Sequence, residues 1–209
     1  MPEISTLLIF LAATLALNLT PGPDMLYVMA RGVGQGHTAG VVSALGIGGG
    51  TLVHTLAVAL GLSTLLVSLP TVYEAIRYAG AGYLLYLGIR TLTIREDVRL
   101  NTQRPAQSLS RIFRQGVVTN VLNPKVALFF IAFLPQFADP ARGSVAWQML
   151  VLGLLFNVSG TTVNTIVGLL SGYLGARLKE HPTFWRVQRW FTGGVFIALA
   201  ARLAVPDRP

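Results

Sequence analysis

The sequence contains no cysteine. That excludes a disulfide frame, a thiolate nucleophile and any cysteine-ligated metal. Charge is also scarce: Asp, Glu, Lys and Arg make up 11% of the 209 residues, about half their share in an ordinary soluble domain. Acidic residues are the scarcer kind, 8 against 16 Lys and Arg. The resulting net charge of +8 does not mark a nucleic-acid partner, because the basic residues sit between apolar runs and not on one soluble face. No carboxylate pair, Ser–His arrangement or second His stands at a catalytic or metal-ligand spacing, which argues against an intramembrane enzyme and a metal site. Nothing calls for a cofactor.

What the chain does have is hydrophobic length, with 53% apolar residues. A helix needs about 20 apolar residues to cross a hydrocarbon core about 30 Å thick. Six segments meet that length: 4–30, 39–69, 73–92, 116–137, 145–174 and 184–205. The first five residues hold no Lys or Arg, unlike the basic start of a secretory signal, so the first segment is read as a membrane helix despite its Ala-rich stretch. Short loops rich in Lys and Arg stay in the cytoplasm. Arg31, Arg90, Arg95, Arg99, Arg104, Arg111, Arg114, Arg177, Lys179, Arg186 and Arg189 fall on one side, eleven in all, against Arg77, Arg142, Arg202 and Arg208 on the other. Both termini are therefore expected outside. A re-entrant first segment, giving five crossings, is the alternative topology.

Two of the segments are interrupted. Asn18-Leu19-Thr20-Pro21-Gly22-Pro23-Asp24 breaks the first, and Asn120-Val121-Leu122-Asn123-Pro124-Lys125 breaks the fourth. Proline removes a backbone donor and clashes one turn back, so a helix cannot pass undisturbed. Irregular backbone at membrane depth is tolerated only where it is packed in protein or lines a wet cavity. The two halves look related: Arg77, Gly82 and Arg90 are spaced like Arg189, Gly194 and Arg202. With three crossings each, the halves 1–94 and 116–209 run in opposite directions about the polar linker 95–115. The expected fold is an all-α integral membrane protein of six transmembrane helices, arranged as two inverted three-helix repeats with broken first and fourth helices, in one transporter domain. Matching Pro-interrupted segments are a sequence pointer to a binding site near the bilayer midplane.

Asp24 and Lys125 are the charged residues expected well inside these spans, where each costs about 2.5–3.5 kcal/mol on insertion scales. A protonatable carboxylate facing a cation suits proton coupling; a static ion pair or a snorkelling lysine is the structural alternative. Asn18, Asn120 and Asn123 flank the breaks, where their amides either satisfy freed backbone groups or bind a substrate. Pro21, Gly22, Pro23 and Pro124 shape the breaks. The helix starts after Pro23 and Pro124 suit a carboxylate ligand. His54 relays protons or packs by hydrogen bonding. Asn157 follows Gly153 as His54 follows Gly50, in keeping with a repeat. A passive channel or a non-transporting scaffold would use the same broken helices.

Thr20-Pro21-Gly22-Pro23-Asp24 resembles the first-helix signature of the LysE/RhtB family of bacterial amino-acid exporters. Gly46-Ile47-Gly48-Gly49-Gly50-Thr51-Leu52-Val53-His54 resembles its second segment, and Gly80-Ala81-Gly82-Tyr83 its third. Asn120-Val121-Leu122-Asn123-Pro124-Lys125, continued by Phe133-Leu134-Pro135-Gln136-Phe137, is similar to its fourth. The resemblance spans nearly the whole chain. It implies a multi-pass protein of the bacterial inner membrane that exports amino acids or related metabolites, driven by the proton motive force. The implied partners are an amino-acid substrate, protons and the lipid bilayer, with no nucleic acid. Small-residue helix faces permit a homodimer without requiring one. Asp24 alone suits a cationic amino acid, whereas Lys125 beside it suits a neutral one.

Overall fold

The computed structural model describes residues 3–62, 70–93, 106–174 and 182–205. Among these the secondary structure is entirely helical. The helices are α1 (Ile4–Leu19), α2 (Pro23–Gln35), α3 (His37–Ala57), α4 (Pro70–Thr93), α5 (Leu109–Val121), α6 (Pro124–Leu128), α7 (Val145–Leu174) and α8 (Pro182–Ala204). A widened π turn, Val58–Leu62, prolongs α3. A second one, Phe129–Phe133, prolongs α6 and tightens into the 3-10 turn Leu134–Phe137.

Proline and glycine punctuate the chain where the sequence leads one to expect it. Thr20, preceding Pro21, is extended at φ −75 and ψ 115, because a residue before proline is pushed out of the helical region. Gly22 is also extended, and Pro23 starts α2 at a position whose N–H has no helical partner anyway. α1 and α2 meet at a bend of 48°. At the second break Asn123 caps α6 by accepting from Lys125 N at 3.0 Å, Pro124 holds the first position, and the two arms bend by 49°. Gly36, with φ +86, lies in a region that only glycine enters readily and turns α2 straight into α3.

α3 is the central helix, packed along α5 and α7 and against α2. The approach to α7 depends on backbone meeting backbone: a Cβ at Gly40 would stand 2.7 Å from Gly168 O, and one at Gly168 2.8 Å from Gly40 O. Small residues allow such proximity, and dispersion at short range stabilises helix pairs that lipid cannot drive together. A cluster of phenylalanines forms the core beside this crossing. Phe129 packs on Phe156 at 4.7 Å between ring centroids, Phe10 on Phe137 at 5.2 Å, and all four are buried.

Two helices, α3 continued to Gly61 and α7 to Ser171, are long and apolar enough to cross a membrane; each bent pair taken as one span makes four. α4 and α8, of 24 and 23 residues, have the length and pack on one another. Their apolar character is diluted by Glu74, Arg77 and Arg90 in one and by Arg186, Arg189 and Arg202 in the other. The helix expected from 116 starts at Leu109, so the end of the expected linker is helical, while 95–105 lie outside the described residues.

Candidate functional site

The two helix breaks are stitched to each other. Lys125, in the first turn of α6, sends its ammonium into the other break, donating to Thr20 O at 2.7 Å and Leu17 O at 3.2 Å. Those carbonyls end α1, where the helix dipole favours a cation. Gly22 leaves the path open, since a Cβ there would stand 3.3 Å from Lys125 Nζ. Asp24 lies in the first turn of α2, where the dipole favours an anion, and its Oδ2 accepts from Asn120 Nδ2 at 2.7 Å. Among the described residues no ion pair joins Asp24 to Lys125. Each buried charge is held by a helix end and by hydrogen bonds.

Both charges border a cavity of about 20 Å³, room for about one water molecule, between the breaks, α3 and α7. Asn18, Thr20, Thr51, Asn120 and Asn164 supply polar wall; Met25, Ile47, Val126 and Phe156 supply apolar wall. Two wall atoms are buried without any hydrogen-bond partner, Asp24 Oδ1 and Asn164 Oδ1. Buried acceptors without a donor are rare and costly, so they ask for a reason. Asn123 is buried as well, with its Nδ2 unpartnered; it is not part of the cavity wall, but its side chain lies beside Asp24, near enough to interact with the carboxylate without closing a hydrogen bond in this arrangement.

The other expected residues take varied places. Asn18 Nδ2 donates to Ser159 Oγ at 2.9 Å, tying the end of α1 to α7 at the cavity edge. Pro21, Gly22, Pro23 and Pro124 form the breaks themselves. His54 stands behind the wall, with Nε2 3.2 Å from Asn120 O and its ring stacked on Phe130 at 5.6 Å. Asn157 is not brought to the cavity. Its Oδ1 accepts from Thr161 Oγ1 at 3.1 Å, and it lines a separate open groove of about 440 Å³ with Thr161, Thr162 and Thr165.

Asp24 and Lys125 are not the only buried charges among the described residues: Arg31 and Arg77 are 5% and 6% exposed. Arg31 is no loop residue but belongs to α2, and its guanidinium donates to Gln35, Gln107 and Gln115 at 2.7–2.9 Å. These neutral carbonyl oxygens replace water around the cation, which explains how it is accommodated. Arg77 lies over the Tyr78 ring at 4.9 Å and donates to its hydroxyl at 3.1 Å.

Neither Thr51 nor Asn164 stood out in the sequence as a site residue. The available signal was the four-residue spacing of Phe156, Gly160 and Asn164, which puts them on one helix face and on this cavity. A helical protein with apolar spans, two proline breaks and an acid and a base converging on a small polar cavity defines a membrane transporter in form. The chain belongs to the LysE family of translocators: the family model described as LysE type translocator matches residues 15–206. Its relatives are efflux proteins and not enzymes. It is 30% identical to the homoserine/homoserine lactone efflux protein of Salmonella typhimurium, over 93% of this chain and 94% of that one. It is 29% identical to the leucine efflux protein of Salmonella choleraesuis (93% and 92%) and 28% identical to that of Klebsiella pneumoniae (94% and 93%). No solved structure matches the chain.

Proposed function

We propose that the chain is a secondary exporter of amino acids or closely related metabolites, working in the bacterial inner membrane and driven by the proton motive force. The observation that carries the reading is Asp24 Oδ1, which makes no hydrogen bond although it is buried at a cavity between two helix breaks, with the unpartnered amide of Asn123 beside it. The α-ammonium of an amino acid supplies both the donor and the opposite charge. Homoserine and its lactone, both named for a relative, share an amino nitrogen, whereas only homoserine carries a free carboxylate; that supports a site centred on the nitrogen. Lys125 uses two of its three N–H groups on the α1 carbonyls and keeps one for a carboxylate.

A cavity of about 20 Å³ is too small for a leucine-sized molecule, so the site has to widen for transport. The near-equal bends of 48° and 49° support paired hinges, and with them the plan of six crossings in two inverted repeats. In this plan α2 and α5 close one end of the path, joined by Asp24 to Asn120, Tyr27 to Ile112 O and Arg31 to Gln115. Proton coupling follows if Asp24 holds either a proton or the substrate's ammonium. The test is uphill movement of leucine and homoserine in inside-out vesicles under an imposed pH gradient. Accumulation against a gradient, abolished by a protonophore, is expected. Downhill equilibration alone would replace this reading with a passive channel.

A further inference from the structure

We propose that Asn164 is the second ammonium acceptor, the residue that makes the site select a free α-amino group. This rests on the reading of the cavity as a substrate site. Asn164 lies on α7 across the cavity from the breaks and is 7% exposed. Its Nδ2 donates to Gly160 O at 3.0 Å, one turn back. That bond fixes the amide: turned over, it would set two acceptors against each other and lose the bond. The oxygen is therefore the free atom, and it is buried without a partner.

The orphaned side-chain atoms of this wall are thus Asp24 Oδ1 and Asn164 Oδ1, one charged and one neutral, and both acceptors. Their complement is a group with several N–H donors and a positive charge. A primary ammonium offers three donors, so it can serve both oxygens and keep one for a third partner such as Thr51 Oγ1. An α-hydroxy acid brings one O–H and no positive charge to this place. It leaves one oxygen unpaired, and a site built to bond a donor rejects an analogue that lacks it. Asp24 supplies attraction to any cation, and Asn164 adds the demand for a second N–H. Gly160 assists on the same face, since a Cβ there would press to within 3.1 Å of Asn18 Oδ1 at the cavity edge.

The experiment uses the full-length protein reconstituted in proteoliposomes, with L-leucine and L-homoserine as probes and 2-hydroxy-4-methylpentanoate as the hydroxy analogue of leucine. Asn164→Leu should raise KM for the amino acids about tenfold to a hundredfold and narrow their advantage over the hydroxy analogue. Asn164→Asp keeps an oxygen for the cavity but sets its other one against Gly160 O in place of the lost donor, so it should retain more of that advantage than Asn164→Leu at the cost of a lower melting temperature. If Asn164→Leu fails to fold, Asn164→Thr carries the same expectation, because its hydroxyl can bond back to Gly160 O as Thr162 does to Val158 O. Unchanged KM and unchanged discrimination in a folded variant would overturn the role of Asn164 and leave Asp24 in place. No transport of either amino acid by the wild type would instead overturn the underlying reading, and this inference with it.

Discussion

Gly50→Ala should silence the site without removing any of its polar groups. A Cβ on Gly50 would stand 2.7 Å from Asn120 Cβ, 2.8 Å from Asn120 Oδ1 and 2.8 Å from Val117 O. Ordinary contact begins near about 3.5 Å, so α3 and α5 must part by roughly 0.7 Å. Neither backbone can yield locally, because the same seam brings Gly46 against Phe113 O and Gly116. The movement carries Asn120 away from Asp24 and stretches a bond of 2.7 Å towards the limit of hydrogen bonding. Overpacking of this kind costs about 1–3 kcal/mol, or about 2–12 °C in melting temperature for a chain of this size. Gly49→Ala is the internal control. Its Cβ would meet only side-chain ends, Val117 Cγ2 at 3.2 Å and Phe113 Cζ at 3.4 Å, which can give. Gly61→Ala, with nothing within 4 Å, should be neutral. The assay pairs melting in detergent with export rate in cells. Gly50→Ala should lose both stability and export, Gly49→Ala little of either and Gly61→Ala none. Equal behaviour of the three variants, or wild-type export by Gly50→Ala, would refute the packing argument.

Three further outcomes follow from the same contacts. Asp24→Asn keeps an oxygen for Asn120 Nδ2, whereas Asp24→Ala leaves that donor buried and unpaired at about 1–3 kcal/mol, so the alanine variant should melt lower; equal melting would show that the bond contributes nothing. Lys125→Met deprives Thr20 O of its ammonium while Leu17 O keeps Thr20 N at 3.1 Å. The orphaned carbonyl at about 1–3 kcal/mol is offset by relief from a buried charge worth about 2.5–3.5 kcal/mol, so membrane levels on an immunoblot should hold while export falls. Arg31→Ala removes the donors of three glutamines and should loosen the α2–α5 seam. Because the chain has no cysteine, a single Met25→Cys in the cavity wall reports this cleanly: maleimide labelling should quicken in the Arg31→Ala background, and an unchanged rate would deny the seam a closing role.

The breaks were legible in the sequence because proline's missing donor and clash act locally, whatever surrounds them. The convergence of Asp24 and Lys125 was legible from cost, since two charges in apolar spans need a shared polar place. The manner of their accommodation was not. Lys125 satisfies α1 carbonyls instead of pairing with Asp24, and that depends on Gly22 leaving room across about a hundred residues of chain. Asn164 and Asn157 look alike in sequence, both polar residues on one long helix. The contact between Gly40 and Gly168 sets the rotation of α7, turning the face of Phe156, Gly160 and Asn164 inwards and that of Asn157, Thr161 and Thr165 to the open groove. Arg31 looked like a loop charge because its stabilising partners, Gln107 and Gln115, lie 76 and 84 residues away.

The most direct test of the central claim is efflux from cells loaded with dipeptides of single amino acids, comparing the wild type with Asp24→Asn at matched membrane levels. The wild type should speed release of at least one amino acid and Asp24→Asn should not, since an amide N–H then meets the ammonium where an unbonded carboxylate oxygen stood. Release by Asp24→Asn at the wild-type rate would contradict it, and would move the substrate site away from the helix breaks.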